Sequence, residues 1–440
     1  MLGYMADLLH RFGTPWTDVG ITQGQIVGLN SLAYGCFNFT AGFVIDRVGS
    51  LKFFVVATVL QIAVMVFAAF IHNISWMYVT ALLTGLASSN RLALKVIVYE
   101  YSNESNVSEM VTYGLNVPAS FGFLFGPSIG GFLALPTVQY HYIFPHSSIL
   151  DKFPVMLPYL LMASVLLVTL ILSSKVWKFD ERSSDEESLL KSDRDTDRNG
   201  EAGDKQCPQR AEWSIKKALE FVSRKNVIVL TCIRLLQGFT SKSSINLFSI
   251  WVLTPISEGG MGFSPMKNGQ LKLYASLLLL SMNLVVPLAV VKKVGHVRGS
   301  SISFIAHSIS ISMLWLPSRM NSSVLEFVLL LFLLVMSRIA MSVIRISFFV
   351  MLKNVTPVSI RARVLAIDSG VNMMTQAAGQ VVFARLFTWS LSKIKETDGN
   401  VSFPLNEPFA FYAISFLSML GAFCAIMCGK DAENSCNAHI

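Results

Sequence analysis

Between residues 42 and 52 the chain reads Gly42-Phe43-Val44-Ile45-Asp46-Arg47-Val48-Gly49-Ser50-Leu51-Lys52. Two glycines, an acid and two bases are compressed into one short turn between two long apolar runs, 23–45 and 51–72. Each run is long enough for a helix to cross a hydrocarbon core, which takes about 20 residues. The turn reads as a tight glycine connection at a helix end, with Asp46 and Arg47 placed to pair across neighbouring helix ends.

Working outward, further apolar runs occupy 75–100, 109–134, 154–175, 226–253, 266–292, 299–317, 324–352, 363–390 and 407–429. Eleven spans are expected. Composition agrees: the 440 residues are 53% hydrophobic and 14% charged, against about 25% charged in soluble domains. A soluble enzyme, a disordered chain and a disulfide scaffold are all excluded. The six cysteines (36, 207, 232, 424, 428 and 436) are scattered without metal or disulfide spacing. The first residues lack the charged start, apolar stretch and cleavage site of a signal peptide.

The charge that remains is concentrated in residues 176–225, a stretch too polar to fold on its own. Residues 1–175 therefore read as an N-terminal bundle of about five spans, 176–225 as a linker, 226–429 as a six-helix bundle and 430–440 as a tail. The net charge of +8 is the Lys/Arg excess of cytoplasmic loops, not a nucleic-acid footprint. Arg47, Lys52, Lys292, Lys293, Arg298, Lys353, Arg361 and Arg363 fall on the linker's side, so the linker and C-terminus are expected to face the cytoplasm. Sequons at Asn73, Asn321 and Asn400 fall on the opposite side; those at Asn103, Asn106 and Asn354 do not.

The 42–52 turn, with Gly42, Asp46, Arg47, Gly49 and Lys52 in place, resembles the loop between helices 2 and 3 of the major facilitator superfamily. Gly122, Gly126, Pro127, Gly130 and Gly131 resemble that family's helix-5 glycine motif, in which small residues let helices approach closely. Asn90, Lys95 and Glu100 at five-residue spacing, the Phe153-Pro154…Leu157-Pro158-Tyr159 stretch, and Gly259-Gly260-Met261-Gly262-Phe263-Ser264 are similar to the zinc-induced facilitator-like branch of the drug:proton antiporters. The resemblance implies an all-α polytopic membrane protein of two helical bundles that rock around a midplane site. It implies proton-coupled export of a small organic solute or a metal chelate. Three departures stand out. Met1–Phe12 resembles only the outer end of the family's first helix, so that helix is expected to be largely missing. Gln380 replaces a proline of the helix-11 pattern, and Lys292-Lys-Val-Gly-His-Val-Arg298 stands where the second half would repeat the Asp-Arg loop.

An ionisable side chain inside a bilayer costs at least about 2.5–3.5 kcal/mol and marks a functional site by default. The deep candidates are Arg91, Lys95, Arg234, Lys242, Arg338 and Arg345, on the fourth, seventh and tenth family helices, which line the family's cavity. They read either as a positive lining for an anionic solute or as cations that snorkel and cap carbonyls. Asp368 is almost the only acid well inside a span; it is a proton carrier, or it pairs with Arg345 or Arg363. Glu100 joins the cytoplasmic gate. The in-span amides Asn38, Asn90, Gln237, Asn283, Asn372 and Gln376 read mainly as glue between helices. His141 and His146 lack ligand spacing. Asp185-x3-Leu189-Leu190 resembles an acidic dileucine signal read by clathrin adaptors, giving a vacuolar or lysosomal address or the plasma membrane. No cofactor, metal, nucleic-acid partner or catalytic constellation is expected. The alternatives to a coupled transporter are a truncated, transport-dead or regulatory relative and an uncoupled facilitator.

Overall fold

A computed structural model describes residues 5–102, 107–140, 142–143, 148–174, 225–256, 260–320, 322–356, 361–396 and 409–427. The linker, its dileucine residues Asp185, Leu189 and Leu190, the sequons at Asn103, Asn106, Asn321 and Asn400, and His141 and His146 lie outside the described residues. Every regular element among those described is helical.

Helix α1 (Met5–Arg11) is a single short element, followed by α2 (Trp16–Val48), α3 (Ser50–Ala68), α4 (Ile74–Ala87) and α5 (Asn90–Glu100). A five-residue helix, α6 (Val107–Val111), leads through a π-helical turn at Thr112–Asn116 into α7 (Val117–Leu133), and α8 (Met156–Ser174) closes the first half. The second half comprises α9 (Lys225–Leu253), α10 (Pro265–Val294), α11 (His296–Ser312), α12 (Ser323–Val355), α13 (Arg361–Glu396) and α14 (Phe409–Met427). Among the described residues, seven helical segments, counting α4 and α5 as one, are long and apolar enough to cross a membrane. The four other expected runs also fold as long helical segments: α2, the α6–α7 unit, α9 and α13. Of these, α2, α9 and α13 carry buried Gln and Asn side chains, including Gln23, Asn38, Gln237, Asn246, Asn372 and Gln376. The end where α8 stops and α9 begins is called the linker end; the other is the far end.

Helix starts follow local chemistry. The Asn73 side chain accepts a hydrogen bond from Trp76 N at 2.8 Å, and Ser264 Oγ accepts from Lys267 N with Pro265 in the first turn. Both satisfy amides that a helix N-terminus leaves unpaired. Gly49 both ends α2 and starts α3, with φ +92°. Gly295 does the same between α10 and α11 at φ +89°. A side chain there is strained, so Gly49→Ala should cost about 1–3 kcal/mol and lower the thermal midpoint without changing helix content by circular dichroism.

A long, close seam joins the two halves, where α2 runs along α13. A Cβ at Gly24 would lie 3.2 Å from the Gln380 carbonyl oxygen, one at Gly28 3.3 Å from that of Ala377, and one at Gly35 3.0 Å from that of Gly370. The four-residue spacing of Gly20, Gly24 and Gly28 is the small-residue pattern that lets helices approach. That role was expected of the helix-5 glycines. A Cβ at Gly122, Gly126 or Gly131 meets nothing within 4 Å among the described residues, while Gly130 is buried in the same helix.

The linker end is closed by a core drawn from both halves: Ile45, Leu92, Val96, Tyr99 and Val111 pack with Phe348, Phe349, Met351 and Leu365. At the far end the corresponding cluster is almost entirely from the first half, with Met5, Leu8, Leu9, Ile71 and Leu135 joined by Leu253.

Candidate functional site

Helices α4 and α5 form one spanning unit broken at Ser88–Ser89, where both serines are buried and Arg91 N bonds back to the Ser88 carbonyl. Serine and asparagine compete for backbone bonds and weaken helices, so the break falls immediately before the cationic stretch. Arg91 then stacks over the Tyr34 ring of α2 at 5.9 Å. One turn on, Lys95 Nζ donates to Ser369 Oγ of α13 at 3.2 Å and lies 5.6 Å from the Phe349 ring centre. Ser369 Oγ also accepts from Asn38 Nδ2 at 3.1 Å. This one hydroxyl therefore holds two side chains from the opposite half.

Arg234 of α9 does not snorkel. Its Nε and Nη2 donate to the two Asp368 carboxylate oxygens at 2.8 and 2.9 Å, and its Nη1 donates to Gln237 Oε1 at 2.8 Å. The guanidinium also lies over Phe348 at 4.7 Å. The side chains of this pair are 6% and 7% exposed. Pairing was foreseen for Asp368, but the partner is Arg234. Arg363 instead pairs with Asp46 at 2.8 Å, and Arg345 donates to Asn116 Oδ1 at 3.2 Å. Asn116 is the last residue of the π turn, and such turns recur at functional sites.

Lys95, Lys242, Arg338 and Arg345 are half-buried despite sitting well inside their helices. They feel one another's charge across the interface between the halves: Lys95 is acted on by Arg234, Arg345, Arg91 and Asp368. Lys242 is acted on by Arg91, Arg338 and Arg345. Lipid-facing cations on different helices would be held apart, so this grouping belongs to an interior space. Among the described residues it contains many cations and a single carboxylate, already held by Arg234.

The gate residues separate into two kinds. Asp46 reaches the other half through Arg363, and Glu100 accepts from Ser50 Oγ at 2.7 Å within its own half. Arg47 and Lys52 are exposed, Gly42 is buried and Gly49 makes the turn. Three further contacts cross the linker end: Lys292 with Glu109 at 2.8 Å, Tyr99 Oη donating to the Phe349 carbonyl at 2.7 Å, and Lys353 Nζ donating to Ser102 O and Oγ at 3.0 Å. Lys353, read from sequence as a loop cation, is 3% exposed. At the far end Gln23 Nε2 donates to Asn246 Oδ1 at 2.9 Å. Among the in-span amides, Asn283 Nδ2 joins α10 to Ser120 of α7 at 2.8 Å, whereas Asn90 and Gln376 each have a buried oxygen without a partner.

Sequence reasoning missed Lys272, Asn268 and Asn246. Lys272 and Asn268 lie in the first turns of α10, where Pro265-Met-Lys-Asn-Gly-Gln-Leu-Lys reads as a polar helix start. Lys272 Nζ nevertheless donates inward to Ser249 Oγ of α9 at 3.1 Å. The period of α10 could have shown Asn268 and Lys272 on one face.

A family model described as Major Facilitator Superfamily matches residues 2–379. The chain belongs to the Major Facilitator Superfamily. Among relatives in Arabidopsis thaliana, it is 27% identical to Protein ZINC INDUCED FACILITATOR-LIKE 1 over 61% of this chain and 54% of that protein. It is 22% identical to a probable peptide/nitrate transporter over 77% and 72%, and 26% identical to Protein ZINC INDUCED FACILITATOR 1 over 65% and 60%. The chain thus spans about half the length of the first of these relatives. The human organic anion transporter MFSD10 (TETRAN) shares the superfamily fold with a TM-score of 0.60 and 14% identity, covering 96% of this chain and 89% of its own. Membership makes this a multi-pass membrane protein, and the eleven long helical segments among the described residues and the paired halves are the superfamily architecture.

Proposed function

We propose that this superfamily member carries a small organic anion across the membrane by alternating access, coupled to protons. The observation that carries the reading is the imbalance at the interface between the halves: among the described residues, Lys95 and Lys242 are acted on by Arg91, Arg234, Arg338 and Arg345, and the one acid acting there is Asp368, paired with Arg234. In a low-dielectric interior, like charges repel strongly, and an incoming carboxylate or metal–chelate anion relieves that repulsion. In this reading the solute anion competes with Asp368 for Arg234. Once displaced, the Asp368 carboxylate takes a proton from the aqueous cavity, so the solute's charge and the proton move in linked steps.

The linker end is assigned to the cytosol because Lys and Arg gather there, and export then runs towards the far end. Asn73, exposed at the far end, is proposed as the glycan acceptor, and the linker's dileucine stretch as the adaptor contact. The chain is proposed to move its solute without making or breaking bonds in it.

Uptake of phenylacetate into vesicles holding the purified chain, under an imposed pH gradient, tests this. Flux should follow the gradient. Asp368→Asn should bind phenylacetate at least tenfold more tightly, because Arg234 is then unoccupied, yet lose dependence on the gradient. Flux indifferent to pH in the unaltered chain would assign an uncoupled facilitator, and a Lys95→Gln, Arg345→Gln variant with undiminished binding would remove the anion reading.

A further inference from the structure

We propose a second anion-binding subsite near the far end of the C-terminal half, formed by Ser249 of α9, Asn268 and Lys272 of α10 and Arg338 of α12. It rests on the anion reading above for the sign of the solute and shares Arg338 with it, but Ser249, Asn268 and Lys272 belong to the subsite alone.

Lys272 Nζ donates to Ser249 Oγ at 3.1 Å, which turns the ammonium towards α9. The charge acting on Lys272 among the described residues is that of Arg338, so the charge felt at Lys272 is positive. One turn before Lys272, Asn268 is completely buried, and neither its Nδ2 nor its Oδ1 has a hydrogen-bond partner. Asn246, three residues before Ser249 on α9, is 2% exposed and has a buried, unpartnered Nδ2. An orphaned buried polar group costs about 1–3 kcal/mol. Here two amide donors without partners lie on the helix faces that Lys272 and Ser249 join, and one oxyanion would satisfy them with the cations.

The orphaned Asn268 Oδ1 adds a requirement, because it needs a donor. The ligand class is therefore a carboxylate with a hydroxyl or N–H beside it, such as an α-hydroxy acid. The separation decides whether this is a second site or the far end of the first. Arg234 and Ser249 are fifteen positions apart on α9, which is about 22 Å along a helix. A small organic anion cannot touch both, so two are held at once. Lys242, acted on by cations of both tiers, lies between the sites.

Equilibrium dialysis of the full chain with radiolabelled mandelate tests the proposal. Two molecules should bind per chain. Lys272→Gln and Asn268→Leu should each bind one, and Lys272→Arg should still bind two. Arg234→Gln should also bind one, through loss of the other site. Phenylacetate, which lacks the hydroxyl, should occupy the far subsite at least tenfold more weakly. One molecule per chain, lost in Arg234→Gln and unchanged in Lys272→Gln, would overturn the subsite and leave the central anion reading standing; Lys272 would then be a cation snorkelling to the far surface. One molecule lost only in Lys272→Gln would keep the subsite and remove the central reading. No binding to the unaltered chain would overturn both.

Discussion

Asp368→Asn should be among the most destabilising single substitutions in the protein, and more damaging than Arg234→Gln. Removing one member of a buried ion pair typically costs about 3–5 kcal/mol, because the other charge is left uncompensated. The two members of this pair are not equivalent. Without Arg234, Asp368 still has the Lys95 charge acting beside it. Without Asp368, the Arg234 guanidinium keeps only its bond to Gln237 and its stack on Phe348, and it joins a group of like charges. Thermal unfolding in detergent should therefore rank the unaltered chain first, Arg234→Gln second and Asp368→Asn last. A double variant, Arg234→Met with Asp368→Leu, should recover most of the lost stability, since well-packed apolar groups of similar volume replace buried ion pairs at little cost. It should not recover transport. Equal losses from the two single substitutions would mean that the surrounding cations do not act on this pair, and the anion reading would fall with that.

The helical class, the superfamily and the linker-end turn were legible in the sequence because each is local. Apolar run length reports a membrane span, and a glycine between two such runs reports a positive-φ turn. Asp368 was legible as a buried acid needing a partner, but the partner was not, because residues 234 and 368 meet only through the packing of α9 on α13. The glycines of α2 went unread for a similar reason. Their four-residue spacing lies within an apolar run that already explained itself, whereas the Gly122–Gly131 cluster drew attention by density. Lys272 was hidden by its position: a lysine seven residues into a helix looks like a surface residue until the direction of its Nζ is known. The second half's turn also looked unlike the first, because side chains were compared. The backbone of Gly295 repeats that of Gly49, and Val-Gly is shared by both turns.

That repetition yields the second large prediction. In the first half, Asp46 at the end of α2 pairs with Arg363 at the start of α13; in the second, Lys292 at the end of α10 pairs with Glu109 of α6. The two pairs occupy matching places in the two halves, with the signs exchanged. Acids therefore sit on the first half's side of the seam, and Lys292, Arg363 and the buried Lys353 on the other. Each pair alone is exposed to solvent, where ion pairs contribute little, so neutralising one should do little. Reversing a charge replaces attraction with repulsion across the whole seam. Asp46→Lys should raise the population open at the linker end about tenfold, which corresponds to about 1.4 kcal/mol. Spin labels at Lys52→Cys and Lys293→Cys, exposed positions on opposite halves, would read this as a gain in the longer distance. Adding Arg363→Asp should restore the short distance, and high salt should lessen both effects. If the exchanged pair fails to restore closure while the protein stays folded, Asp46 acts within its own turn, and the linker end is held by Lys292 with Glu109, Tyr99, Lys353 and the apolar packing between the halves.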